Sequence, residues 1–516
     1  MYVGRKSDEV IVVQKQTNNS ELHEIVGFDA EYVERSASAK GNLFQTARTT
    51  TQCVDTLSPG LERIRQAAKR DSKTRFSSLL HHMTPDVLSG AYRSLNPKSV
   101  PGVDEMTWQA YGKGLDERLR SLHQRIQSGH YHAMPSKRIW IAKADGRKRP
   151  IGIAALEDKI VQKGLVWVLE SIYETDFLGF SYGFRPGRSQ HRALDALHVA
   201  ITQRKVSWVL DADIQGFFDT LSHDWLLRFL EHRVSDPRIL RLVKKFLRTG
   251  VSEDGQWSKT EVGTPQGSVA SPFLANVYLH YVLDLWVHWW RRHHARGEVY
   301  IVRYADDFVV CFQYGSDGRH FVKALRTRLT KFELTLHPGK TRLIEFGRFA
   351  TANRRERSQG KPETFDFLGF THICDTRRSD GTFTVRRKTI AKRLRAKIQA
   401  IRIELLKNRS LPVWTQGAWL RSVIQGYINY HGIPGNRGAL NTLRTELCKA
   451  WLFALRRRSQ KSASLSWGRF KKLVSTWIPS VRIVHPYPNQ RFSVGPKAGA
   501  GRVSSARPDL YRRLGK

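Results

Sequence analysis

The chain has 516 residues, 40% of them hydrophobic, and a formal net charge of +40. That length and apolar content allow several folded domains, and charge this far from neutral predicts a polyanionic partner while saying nothing about fold. Four cysteines (Cys53, Cys311, Cys374, Cys448), none spaced C-x-x-C, argue against a zinc knuckle or a disulfide framework, and no apolar run reaches the ~20 residues of a membrane span.

Residues 1–56 are rich in Ser, Thr, Asn and Gln, without clear periodicity, and read as a flexible N-terminal arm with no secretory apolar core. Residues 57–137 read as a helical extension. LERIRQAAKRD opens it, and Thr84 followed by Pro85 caps a second helix. VPGVDEMT is a loop, and Leu115, Leu119, Leu122 and Ile126 mark a third helix that ends at Gly129. KRIWIAKADGRKRPIGIA reads as a hairpin about Asp145-Gly146. LEDKIVQKGLVWVLESIYE is a long helix, VSWVLDADI a strand, and SHDWLLRFLEHRV a helix capped by Ser222. GTPQGS is a Gly-rich loop entering a helix, VYIVRYADDFVVCF is two strands about a tight turn, and HFVKALRTRLTKFEL is another helix. The polar, basic insert between RLIEF and FDFLGF reads as a loop. This order predicts an α+β core with a small, largely antiparallel sheet and helices on one face.

Beyond residue 375 the composition changes. From Thr376 to the end there are 31 Lys and Arg against 4 Asp and Glu. Five tryptophans, Trp414, Trp419, Trp451, Trp467 and Trp477, argue for folded structure within this basic region. Ile390, Leu394, Ile398, Ile401 and Leu405 form one stripe of a basic amphipathic helix. Two readings fit it: a helix laid along nucleic acid, or a solvated face of a helical bundle.

The chemistry centres on carboxylates. Asp213 closes the apolar run Trp208 to Leu210, and Asp306-Asp307 interrupts another apolar run. Alone, each has a bland reading as a strand end or a hairpin turn. Converging, they would repel unless a hard cation sat among them.

The motifs together carry a resemblance. Tyr304-Ala305-Asp306-Asp307 and Asp213-Ile214-Gln215-Gly216-Phe217-Phe218-Asp219 resemble the palm hairpin and palm strand of reverse transcriptases, and Gly263-Thr264-Pro265-Gln266-Gly267-Ser268 resembles their nucleotide-pocket loop. Residues 141–162, 179–197 (GFSYGFRPGRSQHRALDAL), 336–346, 365–370 and 420–436 (LRSVIQGYINYHGIPGN) resemble the group II intron-encoded reverse transcriptases, also called maturases. The similarity runs from about residue 61 to 492, with all motifs in order.

The resemblance implies a right-hand polymerase. Residues 138–375 would be fingers and palm, 376–480 an α-helical thumb or maturase domain (domain X), and 481–516 a basic tail. Asp213, Asp306 and Asp307 would be the catalytic carboxylates and metal ligands, joined by the Ile214 carbonyl. They would hold two Mg²⁺ ions, with Mn²⁺ as a substitute. Lys143 and Arg149 would grip the triphosphate; without the resemblance they read as an exposed basic hairpin. Gln266 and Gly267 would line the pocket. Phe218 would exclude a ribose 2′-OH and so favour dNTPs, unless Phe217 faces the pocket instead. Arg393, Lys397, Arg456, Arg457, Arg458, Lys471 and Lys472 would contact nucleic-acid phosphates.

The implied function is RNA-directed DNA synthesis together with assistance to intron splicing and mobility, in a bacterial cytoplasm or nucleoid. Its partners would be intron RNA, a primed RNA template, target DNA and dNTPs, with no membrane. Two alternatives stay open: a splicing-only maturase, and a reverse transcriptase repurposed outside an intron, for example in host defence. The sequence departs from the family at Glu105, where glycine is usual, and at Ala142, where proline is usual. It shows no motif of the C-terminal DNA endonuclease that many relatives carry. The oligomeric state is not legible.

Overall fold

The computed structural model describes residues 58–142, 148–253, 256–258, 262–264, 267–459 and 464–490. The expected arm, most of the expected tail, Lys143 and Gln266 lie outside the described residues, and of Arg149 only the backbone is described.

The extension is helical, as its periodicity predicts: α1 (Pro59–Arg70), α2 (Pro85–Ser94) and α3 (Leu115–Ser128). Thr84 caps α2 by accepting a hydrogen bond from the Val87 amide. The loop before α3 holds Glu105 at φ +50°, a conformation natural to glycine and costly for a residue with a Cβ.

Strands β1 (Ser136–Ala142) and β2 (Lys148–Ile153) form the expected hairpin. The long helix α4 (Leu156–Tyr173) follows, then α5 (Gln190–Gln203) and β3 (Trp208–Asp213). Phe217–Thr220 is a single helical turn, so Phe217 and Phe218 do not lie on a strand. Helix α6 (His223–Glu231) starts after Ser222, whose side chain makes no capping bond. Helix α7 (Pro237–Arg248) leads to β4 (Val251–Glu253) and β5 (Gln256–Ser258). These extend the β1–β2 hairpin into a sheet in the order β2-β1-β4-β5, with a parallel contact between β1 and β4 that the sequence reading lacked.

Helix α8 (Ser271–Leu279) passes through a π turn (His280–Asp284) into α9 (Leu285–His293). Strands β6 (Val299–Tyr304) and β7 (Asp307–Phe312), helix α10 (Gly315–Thr330) and β8 (Arg342–Glu345) complete a second sheet, antiparallel throughout, in the order β6-β7-β3-β8. One of its faces, carrying Leu210, Ala212, Ile301, Phe308 and Val310, joins a core with Leu165 and Val168 of α4 and Val277 of α8. The other face is buried too, at Val209, Val302 and Val309, which is why these strands read as continuous apolar runs. The insert read as a loop contains a helix, α11 (Ala350–Glu356), anchored where the Asn353 amide donates to the Glu345 carboxylate, 2.8 Å.

The described residues cluster as two compact units, 58–193 with 205–363, and 194–204 with 364–490. The second opens with β9 (Phe365–Phe367), β10 (Phe370–Thr376) and β11 (Phe383–Thr389). Leu368 and Gly369 both have positive φ, as a two-residue type I′ hairpin turn requires. The expected boundary at 375/376 falls inside β10, where Thr376 still pairs with Phe383; the strands of this small sheet therefore travel with the helical unit. Arg387 is buried on β11 against Asp195 of α5, 2.9 Å. Four helices follow: α12 (Ala391–Lys407), α13 (Val413–His431), α14 (Arg437–Arg456) and α15 (Trp467–Trp477). Ile401, Leu405, Leu420, Ile424, Leu447, Trp451 and Phe470 make their common core.

Candidate active site

The carboxylates gather at one end of the β6-β7-β3-β8 sheet. Asp213 is directly opposite Asp307 on the antiparallel partner, and Tyr304 is opposite Asp307 on its other side. Directly opposed residues project to the same face, with Cβ atoms about 4.5–5.5 Å apart. Asp213, Asp307 and Tyr304 therefore share a face, while Ala212 and Phe308, one step along, enter the helical core.

Ala305 and Asp306 form the two-residue turn between β6 and β7. Ala305 sits at φ +58°, which costs a non-glycine residue roughly 1–2 kcal/mol. A buried arginine holds this turn. Arg303 Nη1 donates to the Ala305 carbonyl (2.9 Å) and to Asn276 Oδ1 (3.0 Å). Its Nε and Nη2 donate to the two oxygens of Asp284 (2.7 and 2.5 Å), and Nη2 also donates to Ser181 Oγ (2.7 Å). Both members of the ion pair are fully buried. Burial pushes the Asp284 carboxyl above its ordinary range, and the adjacent guanidinium opposes that shift. Asp284 ends the π turn, a local helical expansion of the kind that recurs at functional sites.

The segment before FRPGR closes against the same turn. The Tyr182 amide donates to the Arg303 carbonyl (2.8 Å), and Asn276 donates to the Gly183 carbonyl (2.7 Å). A Cβ at Gly183 would lie 2.3 Å from the Ala305 nitrogen, so only glycine allows this approach.

On the other side of the carboxylates, Lys340 Nζ lies 2.6 Å from Asp213 Oδ2. The His337 amide donates to the Asp213 carbonyl (2.8 Å) and the Gln215 amide to the Thr335 carbonyl (2.8 Å), bridging Ile214 to Leu336. The donors are hard oxygens, the set Mg²⁺ prefers. Among the described residues, however, no three His, Cys, Asp or Glu side chains already converge to hold a metal ion. The expected three-carboxylate site is thus not a preformed cage. Asp213 and Asp307 share a face, Asp306 adjoins them in the turn, and Asp213 carries an ammonium partner. Mg²⁺ is commonly bound by one or two carboxylates plus substrate phosphates, so this donor set suits an ion that arrives with a nucleotide.

Of the expected nucleotide-pocket residues, Phe218 and Gly267 have described surroundings. Phe217 is buried in the core, while Phe218 is half-buried. The Thr264 amide donates to the Phe218 carbonyl, 2.7 Å, joining the Gly-rich loop to this turn. Gly267, at φ +112°, packs so closely on β2 that a Cβ would meet the Gly152 carbonyl at 2.7 Å. Beyond it, Gln162 of α4 accepts from Ser268 Oγ (2.8 Å) and the Val269 amide (3.0 Å), fixing the loop's exit.

In the helical unit, Arg393, Lys397, Arg456, Arg457, Arg458, Lys471 and Lys472 are all exposed. Arg456 is partly committed, since its guanidinium donates to the Leu465 carbonyl (3.0 and 2.8 Å). No helix among the described residues is long and apolar enough to cross a membrane.

The sequence reading missed Arg303, Asp284, Asn276, Ser181 and Lys340. A signal for two of them existed. An arginine inside VYIVRYA and an aspartate inside YVLDLWV are each expensive to bury alone, so each implies a partner.

Residues 141–372 match the family described as reverse transcriptase (RNA-dependent DNA polymerase). Protein YkfC of Escherichia coli is 34% identical over 276 residues, which cover 47% of this chain and 72% of that protein. The group II intron-encoded protein LtrA of Lactococcus lactis is 35% identical over 225 residues, 43% of this chain and 37% of that protein. An uncharacterized 91 kDa protein in the cob intron of Schizosaccharomyces pombe is 39% identical over 199 residues, 38% of this chain and 24% of that protein. The matched part therefore spans well under half of the two intron-encoded relatives.

Proposed function

Because the chain belongs to the group II intron reverse transcriptase and maturase family, an RNA-directed DNA polymerase family, we propose that DNA is synthesised on an RNA template at the Asp213–Asp307 end of the sheet. The carrying observation is the register: Asp213 faces Asp307 across β3 and β7, and Asp306 is held beside them by a turn pinned through a buried arginine.

In this proposal Asp213 and Asp306 are the principal metal ligands, the Ile214 carbonyl adds a contact, and Asp307 shapes the local field. Two Mg²⁺ ions, or Mn²⁺ in their place, would supply Lewis acidity for in-line displacement of pyrophosphate by a primer 3′-OH. Lys143 and Arg149 grip the triphosphate from the finger hairpin, and Gln266 and Gly267 border the base and sugar. Phe218 lies under the ribose and leaves no room for a 2′-OH. The burial of Phe217 supports that assignment, because it leaves Phe218, half-buried at the edge of the core, as the more accessible of the two rings.

The helical unit would hold the template–primer duplex and intron RNA through exposed Arg393, Lys397, Arg457, Arg458, Lys471 and Lys472. Binding the folded intron would favour its splicing-competent form by mass action. Target DNA and dNTPs complete the partners, and the proposed setting is the bacterial cytoplasm.

The test is primer extension on a primed RNA with Mg²⁺ and dNTPs. Wild-type protein should extend the primer, and Asp306→Ala should lose at least a thousandfold in rate while binding RNA as before. Extension retained in Asp306→Ala removes that residue from the site. No extension by wild-type protein, with splicing assistance intact, selects the splicing-only reading.

A further inference from the structure

Between residues 405 and 490 the chain has fourteen Lys and Arg but a single acidic residue, Glu446, which pairs with Lys449 at 2.8 Å. In this setting large aromatic side chains would be expected inside the bundle, as Trp451 is. Several are not, and three of them lie near one another in the chain's connections: Trp414 is 65% exposed, Trp467 53% and Phe453 38%.

Hydrogen bonds bring their segments to one end of the bundle. Arg458, just past α14, donates to the Ser410 carbonyl (3.3 Å), beside the start of α13 that carries Trp414. Arg456 donates to the Leu465 carbonyl, two residues before Trp467 opens α15. Phe453 lies one turn back on α14, with the guanidinium carbons of Arg402 and Arg457 5.5 and 5.0 Å from its ring centre. This end therefore offers aromatic faces interleaved with cations, while Glu404, two residues past Arg402, accepts a hydrogen bond from the Asn408 side chain (2.5 Å).

A duplex presents phosphates but hides its base faces. Arginines alone suffice for it, and exposed tryptophans add nothing. Unpaired nucleotides present both phosphates and π-faces, and proteins that bind them combine cations with aromatic platforms. We propose that the Trp414–Phe453–Trp467 end of the bundle binds unpaired RNA, a loop or single strand, by stacking its bases. This rests on the reading that the chain handles RNA, and adds to it a site that distinguishes unpaired from paired strands.

The test measures binding of the full chain to labelled oligouridylate and to an RNA duplex of equal length, at one fixed salt concentration. Trp414→Ala with Trp467→Ala should weaken oligouridylate binding by tenfold or more, because stacking contributes to affinity base by base. Duplex affinity should change less than twofold, and primer extension on an annealed template should continue at the wild-type rate. Trp414→Phe with Trp467→Phe should restore most of the single-strand affinity, as a stacking role requires. Equal losses on both RNAs, or unchanged oligouridylate binding, overturn the proposal. Failure of the polymerase reading would show separately, as absent extension by wild-type protein.

Discussion

The two units use their charged residues in opposite ways. In the first unit the decisive charges are inside: Arg303 and Asp284 are fully buried as a pair, and Arg303 donates to one backbone carbonyl beside Asp306. In the helical unit the candidate contact charges are outside, on α12, the end of α14 and α15, with tryptophans among them. Buried charge fixes geometry, because an unpaired partner is intolerable there. Exposed charge gives reach and salt-sensitive attraction, and tolerates substitution. The proposed carboxylate chemistry would sit on the first kind of support, and the proposed recognition of a polyanion on the second.

The sharpest way to break this contrast is Arg303→Met. It leaves Asp284 buried without its partner, and urea unfolding should report a loss of about 3–5 kcal/mol. Extension should fall at least a hundredfold, with a raised Mg²⁺ requirement, while RNA affinity and its salt dependence stay as in wild type. Normal extension by a folded Arg303→Met would show that the turn does not need its clamp.

A smaller effect is expected at Phe218→Ala. Incorporation of rNTPs relative to dNTPs should rise by roughly ten- to a hundredfold, within the range that a change in a pocket's apolar fit gives. An unchanged ratio moves the sugar gate elsewhere.

The smallest effect is a difference in acid response. Burial, reinforced by Arg387, holds His372 at about 3, and burial with Arg393 holds His431 at about 4. The unfolded chain takes up these protons near pH 6.5, whereas the folded unit refuses them until far lower pH. The helical unit therefore loses stability as pH falls from about 6.5 towards 4. Asp158 on α4 behaves oppositely. Burial raises it to about 6 despite hydrogen bonds from Tyr131 and the Met134 amide, so its contribution is full at low pH and is lost as pH rises through 6. Hydrogen exchange corrected for intrinsic rates, compared at pH 7 and 5, should show β10 and β11 losing protection while α4 does not. His372→Phe should reduce that loss. Equal acid sensitivity in both segments would erase the distinction.

Much of this is legible in the sequence. Thr84 and Pro85 announced α2, and the apolar strands flanking Asp213 and Asp307 announced a sheet whose motifs could be ordered by resemblance. Their mutual register could not be read, since it depends on pairing between strands nearly a hundred residues apart. The Arg303 clamp was hidden for the same reason: its partners come from three separate elements, and only the mismatch of a charge within an apolar run hinted at them. Local polarity misled at α11, where a basic insert folds into a helix through Glu345, and at β10, which the change in composition cut in two. Glu105 is the opposite case. Its departure from glycine is explained locally, for it keeps the left-handed backbone and gains an ion pair with Lys137, 2.6 Å.

The Lys340–Asp213 pair bears on which ions the proposed metal position would accept. If a metal binds at Asp213 as proposed, the pair would act like an ion exchanger already loaded with a monovalent counterion. Sodium or potassium would bring no more charge than the ammonium it had to displace, and would gain little by the swap. A divalent ion would bring twice the charge and would displace a lysine that stays tethered to the chain. Selection by valence would then come before selection by size, set by a side chain that need not touch the metal.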